Sequence, residues 1–479
     1  MNKSLATVQR IVLHGSVWEE SRHLVLGFSK GCRPAGFLQA LKKADLWPTG
    51  AVLDKKPSVQ ISLGFSRRGL EHAFVPSYIL ALFAMKAPAF MAGAAQRASS
   101  QLGARGSDAP ASWEDTFGFM TLDAVLSIHA NQTKDAETKV GELKVAAKEH
   151  GLRVSEELPV GRRLPVPPGV VEPPWQPERG RNSKAQWAHF GYRDGLARIG
   201  IEGWSEKETL TACKPLSNHP AGEFLLGHPQ HGGANPWIAG PGTRVWPEEA
   251  RSFFANGSFG VLHQVEQHVE EFERFVTDNA KLLGITPNDL KAKLCGRDPS
   301  GLPLATFTFA RPDADFDYKS DVYGYACPFG SHIRRMNPRN DSLAHSGRQR
   351  PLLRRGMPYG RTWYGNPYDN GPRGLLGQFF CASIEDQFEH LINQWADRVP
   401  LGSEDKGHAR DPLIGAHECD DGAFVMQSNR QLGLEPRRLY GLRPFTRTRG
   451  TAYLFYPSLK TLDGIAENSL WGAPNEDDD

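Results

Sequence analysis

The alternation of apolar and polar side chains marks the strands in the first third of the chain, and apolar residues three or four positions apart mark its helices. The predicted strands are His23–Phe28, Val59–Phe65 and Leu122–Ile128. The predicted helices are Pro34–Ala44, Pro76 to about Leu102 with a break at Pro88, and Asp135–His150. This succession of strands and helices predicts an α+β layer.

A second α+β pattern follows a proline-rich stretch. Residues Leu158–Pro177 hold seven prolines, and proline lacks the N–H that a strand donates, so a loop is predicted there. Ser258–His263 reads as a strand, and Val265, Val269, Phe272 and Val276 then recur at helical spacing. A strand over Phe379–Ser383 and a helix over Ile384–Trp395 complete this pattern. The predicted organisation is an N-terminal domain over 1–215, a connecting loop over 216–256 and a C-terminal domain over 257–479.

The composition is that of an ordinary globular protein. The 479 residues are 39% hydrophobic and 23% charged, with a formal net charge of +2, so neither nucleic acid nor a membrane is expected as a partner. Six scattered cysteines without a CxxC pair favour a reducing compartment. No leader-like apolar segment or membrane-spanning run is present in the sequence, and a cytoplasmic location is predicted. Monomer and homodimer both stay open.

One basic segment, Cys327–Arg339, contains a single histidine among arginines. His332 is accompanied by Arg334, Arg335 and Arg339. An imidazole beside several guanidinium groups suits an iron ligand whose cofactor also carries carboxylates, as haem does. The alternative interpretation is a basic surface loop with an incidental histidine.

Two further motifs accompany this segment. Gly191-Tyr-Arg-Asp-Gly195 is a GxxDG motif preceded by Phe190, and Leu352-Leu-Arg-Arg-Gly-Met-Pro-Tyr-Gly360 follows the histidine. In this order the three segments resemble the dye-decolourising peroxidases, in particular the longer C/D-like class. The resemblance runs from about residue 60 to residue 395.

The resemblance implies both a fold and an activity. The expected fold is two ferredoxin-like domains, each a four-stranded antiparallel sheet with peripheral helices, with one haem b per chain bound in the second domain. The expected reaction uses hydrogen peroxide to oxidise aromatic compounds and dyes.

The resemblance also implies roles on the proximal side of the haem. His332 is expected to bind the iron, and Glu385 is expected to accept the proton of the second ring nitrogen, with its neighbour Asp386 as the competing candidate. Arg335 is expected to pair with a haem propionate, while Arg334 and Arg339 are expected to be structural.

On the distal side, Asp194 is expected to carry the proton of the peroxide and Arg354 to supply a fixed positive charge, with Arg355 as the competing arginine. Gly191 and Gly195 are expected to let the backbone turn tightly and approach the porphyrin. Gly377 stands where relatives commonly have a second aromatic residue, so an enlarged distal cavity is expected.

Two other functions compete with the peroxidase. One is a haem- or porphyrin-handling protein of the same fold, either a carrier or a protein that removes the iron. The other is a ferredoxin-like binding module without haem. For the peroxidase, Trp363, Tyr364 and Tyr368 form an aromatic cluster that is expected to carry electrons from bulky dyes.

Overall fold

The computed structural model describes most of the chain. The described residues are 5–15, 18–29, 31–51, 57–73, 75–118, 122–155, 158–167, 170, 186–196, 199–204, 218–238, 245–305, 316–339, 349–366, 368–398, 410–417, 422–428 and 435–467.

Strands and helices alternate along the described residues. The strands are β1 (Glu20–Phe28), β2 (Val59–Phe65), β3 (Ala124–Ala130), β4 (Leu152–Ser155), β5 (Gly161–Arg162), β6 (Gln186–Trp187), β7 (Arg193–Asp194), β8 (Gly200–Ile201), β9 (Asn218–His219), β10 (Ser258–Gln267), β11 (Leu353–Arg354), β12 (Met357–Tyr359), β13 (Gly374–Cys381), β14 (Gly422–Met426), β15 (Arg437–Leu442) and β16 (Thr446–Tyr456). The α-helices are α1 (Arg10–Leu13), α2 (Pro34–Lys43), α3 (Arg67–His72), α4 (Ser77–Lys86), α5 (Pro88–Ala92), α6 (Ala94–Gln101), α7 (Thr133–Glu149), α8 (Glu248–Phe254), α9 (Val269–Leu283), α10 (Pro287–Cys295), α11 (His332–Met336) and α12 (Leu459–Glu467). Two π-helical segments, Ile384–Glu389 and Leu391–Asp397, follow β13. Short 3-10 turns lie at Gly106–Asp108, Pro110–Ser112, Asp115–Phe117, Ala221–Glu223 and Lys319–Asp321.

The first half of the chain forms a ferredoxin-like unit. Its antiparallel strands lie in the order β4-β1-β3-β2. Helices α2 and α7 follow β1 and β3 and contact each other. This is the βαββαβ succession of the ferredoxin-like fold.

The second half repeats the same arrangement. Strand β10 lies between β16 and β13, and β11 and β12 both pair with the far edge of β13. Helix α9 follows β10, and the π-helical segments follow β13. The prediction of an α+β fold built from two ferredoxin-like units is therefore confirmed.

The two sheets join into one closed ring of strands. On one side, Phe65 of β2 pairs with Phe455 of β16. On the other side, Gly161 of β5 pairs with both Ser21 of β1 and Tyr359 of β12. Strand β5 lies within the stretch for which only a loop was predicted, so that prediction is wrong for Gly161–Arg162.

One tyrosine spans the interior between the sheets. The ring of Tyr456 lies against Gly64 and Gly260, where an added Cβ would overlap it. Its hydroxyl is 2.9 Å from the amide nitrogen of Gln378. Absence of a side chain at two glycines therefore lets the two sheets pack around one aromatic ring.

Most of the elements predicted from the pattern are confirmed. Strand β2 has the predicted bounds, and Pro88 begins α5 instead of merely interrupting a longer helix. Val265 lies in strand β10, however, and helix α9 begins only at Val269. The helix predicted after β13 has π-type hydrogen bonding. Among the described residues, every helix is too short or too polar to cross a membrane.

Five of the buried histidines among the described residues have a lowered pKa. They are His14, His23, His129, His189 and His219. Burial is the largest cause in each case and lowers the pKa to about 4, or to about 3 for His23. The folded protein therefore holds these side chains neutral at pH values where the unfolded chain protonates them.

The free energy of unfolding is expected to fall as the pH is lowered from about 6.5 towards 4, because the unfolded chain then binds protons that the folded chain does not. One histidine with a folded pKa of about 4 contributes a loss of at most about 3 kcal/mol over that range. Denaturant unfolding at pH 7 and pH 5 measures the loss. A His23→Gln, His129→Gln double variant should lose less than wild type, and an equal loss would contradict this account.

Candidate active site

His332 is the first residue of the short helix α11. Its Nδ1 lies 2.8 Å from Oδ2 of Asp411, and a quarter of its side chain is exposed, whereas the carboxylate of Asp411 is fully buried. With Nδ1 donating to Asp411, Nε2 is the ring nitrogen available to bind a metal.

Asp411 is held as a carboxylate by its partners. Its Oδ1 accepts N–H groups from Leu413 at 2.9 Å and Ile414 at 3.1 Å. Burial by itself would raise the pKa of Asp411, but the adjacent His332 and the N–H of Leu413 outweigh burial and lower the pKa. A hydrogen-bonded carboxylate fixes the ring orientation of a ligand histidine and strengthens its electron donation.

This pairing corrects the sequence prediction, in which Glu385 was the partner of His332. Oε1 of Glu385 accepts the N–H of Ala89 at 2.5 Å, at the start of α5. Its neighbour Asp386 is exposed and contacts Arg350. Asp411 is 79 residues from His332 in the chain, and its local sequence, Asp-Pro-Leu-Ile-Gly, signals a turn and not a partner.

The structure gives Arg335 main-chain partners, and its pairing with a haem propionate stays a prediction. Its guanidinium is buried and donates to the main-chain oxygens of Trp395 at 2.6 Å, Arg398 at 2.8 Å and Ala396 at 3.5 Å. These oxygens belong to the end of the second π-helical segment. A helix end leaves carbonyl groups without intrahelical partners, and Arg335 satisfies them.

Arg334 likewise satisfies main-chain and side-chain oxygens inside the protein. Its guanidinium donates to Oδ2 of Asp321 at 3.0 Å and to the carbonyl of Cys327 at 2.7 Å. It also lies between the rings of Tyr318 and Phe329, at 4.3 and 4.5 Å from their centroids. Arg339 stacks on Phe316 at 3.8 Å.

The structure brings Asp194 and Arg354 together. Asp194 ends the hairpin of β6 and β7, Arg354 ends β11, and Oδ1 of the aspartate lies 3.9 Å from a guanidinium nitrogen. About half of each side chain is exposed, 47% for Asp194 and 48% for Arg354. Gly191 and Gly195 have φ of +83° and +77°, a conformation that favours glycine.

Arg355, the competing arginine, is turned away from this pair. Successive side chains of a strand point to opposite faces. The guanidinium of Arg355 donates to the carbonyls of Ile11 and Val12, both at 2.9 Å. Arg354 is therefore the arginine that accompanies Asp194.

An apolar sheet face lies beside Arg354. Phe379 pairs with Arg354 across β11 and β13 and is partly exposed. Leu375, four residues earlier on the same face of β13, is also partly exposed. Phe379 also packs on Phe388, with a centroid separation of 5.3 Å. The expectation that Gly377 enlarges the cavity is not met, since the ring of Phe379 lies where a Cβ on Gly377 would be.

One family model matches part of the chain. Residues 225–406 match the family model described as "Dyp-type peroxidase, C-terminal". This segment is similar to the C-terminal domain of Dyp-type peroxidases. The matched Dyp-type residues include His332 and Arg354, whereas Asp194 and Asp411 lie outside them.

Individual relatives of the chain are peroxidases by name. The dye-decolorizing peroxidase msp1 of Mycetinis scorodonius is 26% identical over 305 residues, which cover 57% of this chain and 56% of that protein. The chain spans about half the length of three fungal relatives that it matches.

Two solved structures have the same fold. One is a fungal DyP-type peroxidase from Auricularia auricula-judae, with TM-score 0.72, 20% identity and coverage of 96% of this chain and 99% of that one. The other is a dye-decolorizing peroxidase with an engineered heme pocket, with TM-score 0.72, 20% identity and coverage of 96% and 98%.

Proposed function

We propose that the protein is a haem b peroxidase that uses hydrogen peroxide to oxidise aromatic compounds and dyes, with one haem per chain. The observation that carries the proposal is the pairing of Asp194 with Arg354, 160 positions later in the chain, at 3.9 Å. The matched peroxidase domain and the activities named for the relatives support it.

The side chains present fit a haem. His332 has one ring nitrogen on a buried carboxylate and the other available for iron. The partly exposed Leu375 and Phe379 offer apolar contacts, and Asp194 and Arg354 supply a proton acceptor and a fixed cation. Bound haem supplies the redox iron that accepts two oxidising equivalents from peroxide and passes them on one at a time.

The residues of the chain then have distinct tasks. With haem bound, Asp194 would accept a proton from hydrogen peroxide and return it to the departing oxygen, as a general acid–base group. Arg354 stabilises the negative charge that develops on the departing oxygen without itself exchanging a proton. Asp411 holds His332 in one orientation and one tautomer.

A haem carrier of the same fold is the second candidate. A carrier needs neither a carboxylate nor a guanidinium beside an open iron, so the Asp194–Arg354 pair favours the enzyme. The Soret band separates the two candidates. A band that shifts with stoichiometric peroxide supports the enzyme, and a band indifferent to peroxide supports the carrier.

Haem retention is expected to depend on His332 and Asp411 and not on Glu385. His332→Ala should remove the iron ligand and abolish the wild-type Soret spectrum. Asp411→Asn should weaken haem binding by about 10- to 100-fold, the usual cost of losing a partner of a metal ligand. Titration of haem into the apoprotein measures both, with Glu385→Gln as the matched control. Haem affinity lowered by Glu385→Gln but not by Asp411→Asn would restore the original assignment.

The reaction with peroxide is expected to depend on Asp194 and Arg354. Asp194→Asn should slow it by about 10² to 10⁴, and Arg354→Leu by about 10² to 10³, with haem content unchanged in both. Stopped-flow absorbance measures the rate constant. Asp278→Asn, an exposed change on α9, is the control. Wild-type rates in the Asp194→Asn protein would refute the role of this aspartate.

Bulky dyes are expected to be oxidised at the surface. Tyr364 and Tyr368 are 67% and 89% exposed, while Trp363 is partly buried. Their replacement by phenylalanine, one at a time, should slow turnover of an anthraquinone dye at one position or more and leave a small phenol unaffected. Tyr440, which is 68% exposed on β15, provides the control as Tyr440→Phe. Unchanged dye turnover in all three variants would exclude this cluster.

A further inference from the structure

Helix α10 ends between the segments that carry Asp194 and His332. It begins with a reciprocal cap between Thr286 and Asp289 and ends at Gly296, whose φ is +92°. A helix leaves the carbonyl groups of its last turn without intrahelical donors. In α10, the carbonyl of Lys293 in this last turn and the carbonyl of Lys291, just before it, receive hydrogen bonds from these two segments.

Tyr192 makes the first of these bonds. It lies two residues before Asp194, and its buried hydroxyl donates to the carbonyl of Lys291 at 2.8 Å. The carbonyl of Tyr192 in turn accepts the N–H of Ala188 at 2.9 Å, which closes the hairpin. The hairpin that ends in Asp194 is thereby fixed to α10.

Ser331 makes the second bond. It directly precedes His332, is fully buried, and donates through Oγ to the carbonyl of Lys293 at 2.6 Å. Ile333 follows His332 and packs against Gly296, where an added Cβ would meet its side chain at 2.5 Å. The proximal turn is therefore fixed to the same helix end on both sides of the histidine.

The loop after α10 adds a third connection to the hairpin. The carbonyl of Pro299 accepts the N–H of Arg193 at 3.1 Å. Gly301 has φ of +105° and lies against Leu196, which would overlap any Cβ there. Residues before and after Asp194 are therefore both held by contacts to α10 or to the loop that follows it.

Further contacts hold helix α10 against neighbouring parts of the chain. Nζ of Lys291 lies 2.5 Å from Oε1 of Glu273 on α9, and the ring of Tyr192 packs near Phe272 on that helix. Nζ of Lys293 donates to the carbonyls of Tyr325 and Ala326 at 3.1 and 2.7 Å. These contacts tie the last turn of α10 to its surroundings.

We propose that the last turn of α10 positions the distal aspartate and the proximal histidine relative to each other. Tyr192 is a positioning residue for Asp194, and Ser331 is one for His332. This inference rests on the proposed peroxidase function, since only a reaction between the two sides needs their separation to be fixed. A displacement of about 1 Å in a reacting group costs up to about 10²-fold in rate.

The test uses Tyr192→Phe, which removes one hydroxyl and leaves the ring. Hydrogen exchange followed by mass spectrometry is expected to become faster in peptides covering 188–194 and to stay unchanged over 332–337. In haem-loaded protein, the rate constant for peroxide should fall by about tenfold or more, with haem content and resting absorption spectrum unchanged.

Ser331→Ala is expected to show the reverse pattern. Exchange should rise over 332–337, and the resting absorption spectrum should change, because the histidine turn loses its tie to Lys293. Tyr453→Phe is the control, since it removes another buried tyrosine hydroxyl, one that donates to Glu389 at 2.9 Å. An equal loss of peroxide rate in Tyr453→Phe would make the effect one of general stability and overturn the proposal.

The outcomes separate this inference from the proposed function. A wild-type protein that binds no haem, or whose haem ignores peroxide, would refute the function. Unchanged exchange over 188–194 in Tyr192→Phe would refute the positioning role, whatever the activity of the wild type. An active wild type whose Tyr192→Phe variant reacts equally fast would refute it as well.

Discussion

The hydrogen bond between His332 and Asp411 is the constraint on which the turn that carries His332 depends. A carboxylate with no exposure is tolerated only when its oxygens are satisfied. Asp411 achieves this with one imidazole and two backbone N–H groups, from Leu413 and Ile414. Its own N–H donates to Ala396 at 2.8 Å, so the pair also joins the histidine turn to the π-helical segment. Loss of either partner would leave an uncompensated buried group.

The arginines of the basic segment stabilise the structure around His332. They do not present their charge to solvent. Arg335 satisfies the end of the π-helical segment, and Arg334 lies between two aromatic rings with Asp321 as its counter-ion. Burial lowers the pKa of Arg335, and the nearby Asp411 and Asp397 oppose that effect. These guanidinium groups are therefore satisfied locally, through hydrogen bonds and cation–π contacts.

The sequence predicts well those structural features that depend on residues close together in the chain. The period of apolar residues located β2 and α2 to within a residue, because burial of one face requires that period. The family resemblance of the GxxDG and arginine segments assigned Asp194 and Arg354 to the same side of a haem, and the structure brings these two side chains to 3.9 Å. Their roles stay a prediction.

What the sequence does not predict depends on contacts between distant segments. Glu385 and Asp411 are both acidic residues next to turns, and only the folded chain shows which one reaches His332. Strand β5 forms because two other strands present their edges to Gly161, although Pro159 and Pro165 lie close by in the sequence. Val265 has helical spacing with Val269, but its pairing partners in β13 and β16 hold it in a strand.

Asp194 and His332 are held in position by different kinds of interaction. The Asp194–Arg354 pair is about half exposed at 3.9 Å, and exposed ion pairs contribute only about 0 to 1 kcal/mol. Their mutual attraction is too weak to fix the aspartate. Backbone geometry must do so, through two glycines at positive φ and the bond from Tyr192 to Lys291. The position of Asp194 is therefore set by buried neighbours in the chain, whereas the position of His332 is set directly by a buried partner.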